Sequence, residues 1–269
     1  MSKWICETCG TQFAATEVPP ELCPICSEER QFVGYHGQRW TTLEQMQSAD
    51  FMNAFYEHEP GLVGIGTVPR FGIGQRAILV RHPDGNVLWD CISYIDDITT
   101  DIIKGLGGIK AVAISHPHYY SAMVEWAERF DCKIYIHEKD REWVMNPNPR
   151  IEYWSGDRLK LYRGLKLIHV GGHFAGGTVL HWRDGANGSG VLLTGDIIQV
   201  AEDRKRVSFM YSYPNMIPLP IHEVEHIMAT IEPLEFERIY GFRFERVVTN
   251  DAKNAVLRSG DRYRAALLK

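Results

Sequence analysis

Two groups of metal-ligating side chains stand out by residue type and spacing. The first reads Cys6-x-x-Cys9-Gly10 and then Cys23-Pro24-x-Cys26. Two turns that each offer two thiolates suit a tetrahedral ion, and zinc and iron both fit four sulfurs. The second group starts at Ser115-His116-Pro117-His118-Tyr119-Tyr120-Ser121 and continues far downstream at His173 and Asp196. His116 and His118 directly follow an apolar run. In extended backbone, residues two apart point the same way, so both imidazoles can reach one ion. His173 sits in Gly171-Gly172-His173-Phe174-Ala175-Gly176-Gly177-Thr178, where small residues allow close backbone approach. Asp196 ends the apolar run Leu192-Leu193-Thr194-Gly195. Three neutral nitrogens and one carboxylate are enough for one divalent ion. Zinc matches this set, and iron or manganese also fits.

These side chains need elements to hold them. Residues 1–35 read as a metal-held module with almost no core of its own, so the ion should supply much of its stability. Gly10 is expected at positive φ behind Cys9. Residues 36–60 read as a helical connector. Leu43, Met46, Phe51 and Phe55 suggest a helix from Thr42 to His58, started by Thr41 or Thr42 with Glu44 or Gln45 and ended by Glu59-Pro60-Gly61. Residues 61–269 read as one large α/β domain. Strands are expected at Leu62–Val68, Gln75–Arg81, Val87–Cys91 and Lys110–Ser115, the last leading into the histidine pair. Further strands are expected at Lys133–Ile136, Leu159–Tyr162, Leu165–Val170, Thr178–Trp182 and Gly190–Thr194. Helices are expected at Ile95–Leu106, Tyr120–Phe130, Ile221–Glu232 and Ala252–Leu268.

Composition narrows the function classes. Apolar residues make up 45% of the 269, enough for a substantial core. There are 34 acidic against 29 basic residues, for a net charge of -5, and no long basic run. Nucleic acid is therefore weakly supported as the main partner. No apolar run is long enough for a membrane span, and Met1-Ser2-Lys3-Trp4-Ile5-Cys6 lacks a secretory apolar stretch. A reduced, cytoplasmic setting is expected, with Cys91 and Cys132 as buried free thiols. His222-Glu223-Val224-Glu225-His226 fits a zincin pattern, but its helix buries the Val224 and Ile227 stripe and offers no third ligand. The aromatic segment Val207–Met216 is expected to wall a pocket over the metal or to form a homodimer face.

The cysteine spacing resembles zinc ribbons and the short rubredoxin-like module of rubrerythrins. From about residue 60 to 265 the chain resembles the metallo-beta-lactamase fold superfamily. That family carries His-x-His-x-Asp-His, a distant Gly-His, a Gly-Asp and a final His. The resemblance matches His116 and His118 to the first two histidines, His173 to the Gly-His histidine and Asp196 to the bridging carboxylate. Asp90, in Leu88-Trp89-Asp90, matches a supporting strand-end Asp. It implies a four-layer αβ/βα sandwich. It also marks departures: Tyr120 stands for the motif's Asp, Ser121 for its last His, and no histidine follows His226. Three ligands of a second metal are missing together. The resemblance thus implies a single ion at His116, His118, His173 and Asp196. Tyr120 is expected either to reach the water or substrate as donor or acid or to lie buried and hydrogen-bonded in the core, Asp196 to be a candidate base, and Ser121 to cap a helix.

Three functions remain open at this point. One is a single-metal hydrolase for an ester, thioester, lactone or amide of a small molecule. The second is a rubredoxin-like redox or metal-dependent binding protein. The third is a scaffold that keeps one metal for stability.

Overall fold

In a computed structural model, which describes residues 1–268, the chain is a mixed α/β protein of two compact units. The first unit comprises Met1–Ile136 and Asp140–Tyr153; the second comprises His137–Lys139 and the chain from Trp154 onward. Among the described residues, no helix is long and apolar enough to cross a membrane.

A seven-stranded sheet organises the first unit. Its order is Met52–Glu59, Leu62–Val68, Ala77–Val80, Val87–Trp89, Ala111–Ala113, Lys133–His137 and Ile151–Trp154. Val87–Trp89 pairs parallel with Ala111–Ala113, which pairs parallel with Lys133–His137. Their uninterrupted apolar sequences suit strands covered on both faces, and Val87–Trp89 and Ala111–Ala113 are wholly buried. The helix Asp97–Gly105 begins at Asp96, whose carboxylate accepts from the Thr99 N–H at 2.7 Å. The helix Met123–Phe130 buries Trp126, whose indole N–H donates to the Ile92 carbonyl at 3.0 Å.

The connector departs from expectation. Only Leu43–Gln47 is helical, opened by a capping box between Thr42 and Gln45. Met52–Glu59 is an edge strand, paired antiparallel with Leu62–Val68 through the turn at Pro60-Gly61. The helical spacing of Phe51 and Phe55 is outweighed by this ladder, which a neighbouring apolar strand makes available. Within the strand, Arg76 donates from Nη1 to His58 Nε2 at 2.9 Å. That bond requires a neutral imidazole.

A six-stranded sheet organises the second unit. Its order is Arg158–Tyr162, Leu165–His169, Thr178–Trp182, Val191–Gly195, Arg238–Gly241 and Val247–Val248. Only Val191–Gly195 and Arg238–Gly241 pair in parallel. The helices Ile221–Ile231 and Ala252–Leu267 share its core, burying Val224, Ile227, Ile231, Ala255 and Val256 with Leu192 and Ile239. Between Leu165–His169 and Thr178–Trp182 the glycine loop closes on itself. The N–H groups of Val170 and Gly171 both donate to the Gly177 carbonyl, and the Gly177 N–H donates to the Phe174 carbonyl.

Two measurements test these packing arguments. A Cβ at Gly177 would lie 2.3 Å from the Gly171 carbonyl oxygen. Gly177→Ala is therefore expected to lower stability by about 1–3 kcal/mol in urea unfolding. Burial, then the Arg76 charge, pushes the His58 imidazole down from 6.5 to about 3. Between those values the unfolded chain binds a proton that the folded chain refuses. The stability present above the unfolded value is lost as pH falls through the folded one. His58→Gln keeps an acceptor for Arg76. It should make the acid limb of a stability–pH curve shallower, measured by urea unfolding at pH values across that window.

Candidate functional site

In the first unit the four cysteines converge. Cys6, Cys9, Cys23 and Cys26 are buried, and each offers a sulfur within 4.8 Å of the others. Cys6 Sγ lies 3.6 Å from Cys26 Sγ, and Cys9 Sγ lies 3.7 Å from Cys23 Sγ. A disulfide needs about 2.05 Å, so neither pair is bridged. Four sulfurs about 2.3 Å from a central ion in a tetrahedron would stand about 3.8 Å apart, close to the spacing found. The module wraps this cluster with Phe13 and Ile25, and Val33, Trp40, Trp143 and Met145 pack against it. The Gln38 amide donates to Cys6 Sγ at 3.1 Å, as expected of a partner for thiolate sulfur. Gly10 takes φ +82°, and its N–H donates to the Cys6 carbonyl at 2.8 Å.

The same unit presents His116 and His118. Both leave the parallel pair of strands and are buried, at 1% and 2% exposure. Each offers a ring nitrogen within 4.8 Å of the other. Asp90 and Ser115 prepare this turn. Asp90 follows Val87–Trp89 at φ +59°, and its Oδ1 accepts the Ser115 N–H at 2.8 Å. The Ser115 hydroxyl lies 2.9 Å from His116 Nδ1. Burial, then the Arg30 charge, pushes the His116 imidazole down to about 3. At neutral pH the ring is uncharged, the state in which a histidine ligates a metal.

Tyr120 lies buried in the core, and Ser121 departs from expectation. The Tyr120 phenol is buried and donates to the Asp140 carbonyl at 3.0 Å. Burial, then the Asp140 charge, raises its proton affinity well above the ordinary range. The hydroxyl thus braces the Asp140 main chain. Ser121 does not cap the following helix, whose N-cap is Ala122 without a side-chain bond. Ser121 instead takes φ +41°, and its carbonyl accepts the Gln12 N–H at 2.9 Å. The left-handed turn is what directs that carbonyl toward the cysteine module.

The second unit supplies His173 and Asp196, at 0% and 5% exposure. Their ligand atoms lie within 4.8 Å of one another. His173 Nδ1 faces the Met210 carbonyl at 3.0 Å. A carbonyl can only accept, so the proton sits on Nδ1 and the lone pair on Nε2. A bond of this kind orients a histidine whose other nitrogen is free to ligate a metal. Asp196 closes Val191–Gly195, and its own carbonyl accepts the Tyr213 hydroxyl at 2.6 Å. The Tyr213 ring also lies 5.5 Å from the His173 ring, edge on. The segment 207–216 therefore supports this pair, through a main-chain oxygen and one phenol. Its aromatic content was the visible signal; the Met210 carbonyl had none.

His222 and His226 lie on the outward side of their helix. They line an open pocket with His169, Lys139 and Glu223. His222 is 75% exposed, as expected for a solvated face. Cys91 and Cys132 are buried free thiols.

No protein-family model matches the chain. It is similar to YmaE of Bacillus subtilis (strain 168), an uncharacterized protein, at 53% identity over 268 residues, covering 99% of this chain and 97% of that one. Its structure is similar to VMB-1, with TM-score 0.59 and 13% identity over 80% of this chain and 98% of the other. It is also similar to DIM-1 metallo-beta-lactamase, with TM-score 0.59 and 10% identity over 80% and 98%. For the Cronobacter sakazakii metallo-beta-lactamase with a HARLDQ motif, the TM-score is 0.52 and identity 16% over 79% and 92%. Likeness at such identities carries the fold alone. The chain belongs to the same family as YmaE and has the metallo-beta-lactamase fold, preceded by a four-cysteine module suited to a metal.

Proposed function

We propose that the chain is a single-metal hydrolase that opens an ester, thioester, lactone or amide of a small molecule, with its ion held by His116, His118, His173 and Asp196. The observation that carries this reading is the hydrogen bond from His173 Nδ1 to the Met210 carbonyl, which leaves Nε2 as a donor beside Asp196. These four side chains make a group of a type that can hold an ion. Three neutral imidazoles and one carboxylate leave a divalent cation with net positive charge.

When bound, such an ion supplies Lewis acidity toward a carbonyl oxygen and lowers the pKa of a water molecule. The protein's own groups do the rest. Asp90 fixes the turn before His116 through the Ser115 N–H. Met210 fixes the tautomer of His173. Tyr213 holds the end of the Asp196 strand. Asp196 is the one carboxylate among the donors, and we assign it the acceptance of the proton released on hydrolysis. Tyr120 and Ser121 occupy the positions where a second ion would need a carboxylate and an imidazole, and neither side chain is such a donor. This favours one ion over two. The four cysteines hold a separate ion, zinc or iron, in a structural role.

Metal analysis after anaerobic and aerobic purification tests the ligand set. About two ions per chain are expected, and His173→Ala should leave about one while abolishing hydrolysis of ester, thioester and lactone probes. Unchanged metal content in that variant would show the ligand set to be wrong. A ferric–thiolate absorption band together with iron at both sites would favour a redox protein instead. Tyr120→Phe tests the reassigned phenol. Its kcat/KM on the best probe should stay within about 3-fold, whereas loss of a general acid costs about 100-fold or more. The same change leaves the Asp140 carbonyl without this donor, and stability should fall by about 1–3 kcal/mol in urea unfolding.

A further inference from the structure

The cysteine module and the histidine turn are tied together through main-chain atoms of the first unit. Gln75 is buried, at 7% exposure. Its amide nitrogen donates to the Cys9 carbonyl at 2.6 Å and to the His118 carbonyl at 3.0 Å. An amide has two N–H groups on one planar nitrogen, and both are used here. One side chain thus fixes the separation between a residue of the four-sulfur cluster and a residue of the histidine turn. Neighbouring bonds repeat the link. The Ser93 hydroxyl donates to the Gly10 carbonyl at 2.7 Å, and the Gln12 N–H donates to the Ser121 carbonyl at 2.9 Å. The Gln12 side-chain oxygen in turn accepts from Asn146 Nδ2 at 3.1 Å.

The fit leaves no slack. A Cβ on Gly10 would stand 2.4 Å from Ser93 Oγ, and one on Gly72 would stand 3.0 Å from Gln75 Oε1. Both glycines have positive φ, so the chain passes close over the glutamine where a side chain would not fit. Residues 9–12 are held from one side by Gln75 and Ser93, and an ion at the four sulfurs would hold them from the other through Cys9. Were the cluster to lose its ion, four buried sulfurs would have no common partner. The Cys9 turn would relax, and the Cys9 and Gly10 carbonyls would move with it.

We infer that Gln75 is a positioning residue that makes the geometry of the His116–His118 turn depend on an ion at the four cysteines. The inference rests on the reading of His116 and His118 as metal ligands. The cysteine module is then a built-in support for the hydrolytic ion. Its partner in this link is the turn beside it.

Loading with cobalt(II) tests this, because the two sites give different spectra. A thiolate-to-cobalt charge-transfer band reports the cysteines, and ligand-field bands of an imidazole–carboxylate set report the other site. Chelator competition reads the affinity of each. Gln75→Leu is expected to keep the thiolate band, alter the ligand-field bands of the second site and weaken that site by about 10-fold, the usual scale for an outer hydrogen-bond partner. Unchanged bands and affinity at the second site would overturn the inference. If this variant fails to fold or loses the thiolate band, Ser93→Ala decides. It removes a single hydroxyl from the same link, so a weakened second site supports the inference and an unchanged one overturns it. His173→Ala, run in parallel, separates the two ideas. If it leaves the second cobalt bound, the ligand set itself is wrong. If it removes that cobalt while the Gln75 and Ser93 variants bind it normally, only the coupling fails.

Discussion

Val87–Trp89 runs parallel to Ala111–Ala113, and Val191–Gly195 runs parallel to Arg238–Gly241. Parallel neighbours end on the same edge of a sheet, and the chain must leave that edge through loops. Asp90 and the turn through Ser115 and His116 leave the first pair in this way. Asp196 leaves the second. Polar groups on such loops can be buried because the strand ends supply N–H and C=O partners at fixed positions. The Ser115 N–H held by Asp90 and the Asp196 carbonyl held by Tyr213 are two instances. The other properties assigned to His116, His118 and Asp196 depend on this placement.

Burial then sets the chemistry of the ligands. An imidazole removed from water resists protonation, and His116 is held neutral well below physiological pH. The outer hydrogen bond on His173 selects which nitrogen keeps its lone pair. Together these produce donors that are ready without a proton having to be expelled. The four cysteines pose the opposite problem. Sulfurs 3.6 and 3.7 Å apart in a buried pocket cannot all become anionic unless a cation joins them. The neighbouring thiols of Cys23 and Cys26 hold Cys6 below the usual thiol range, while Cys23 pushes Cys26 above it.

The residues that follow the histidine pair are used for main-chain contacts. Tyr120 braces the Asp140 carbonyl and Ser121 takes a left-handed turn. That turn gives its carbonyl to Gln12 of the cysteine module. Both residues thus anchor neighbouring main chain, Tyr120 through its phenol and Ser121 through its carbonyl.

Much of this was legible in the residues. Paired cysteines at close spacing point to an ion, because ligation by four thiolates can supply the stability that so small a core lacks. Apolar runs ending in His116, Asp196 or a glycine-flanked His173 mark strand ends, since burial and ligation demand those types there. Leu62–Val68 and Thr178–Trp182 were likewise visible, because continuous apolar character reports burial directly. Met52–Glu59 was not, since its edge ladder is formed by a later strand and its aromatic spacing imitates a helix. Nor could the residues reveal what Tyr120, Gln75 or His173 would bond. Their partners are the carbonyls of Asp140, Cys9, His118 and Met210, and every residue carries a carbonyl. Side-chain type determines which chemistry is available; only tertiary packing decides which main-chain oxygen stands within reach of it.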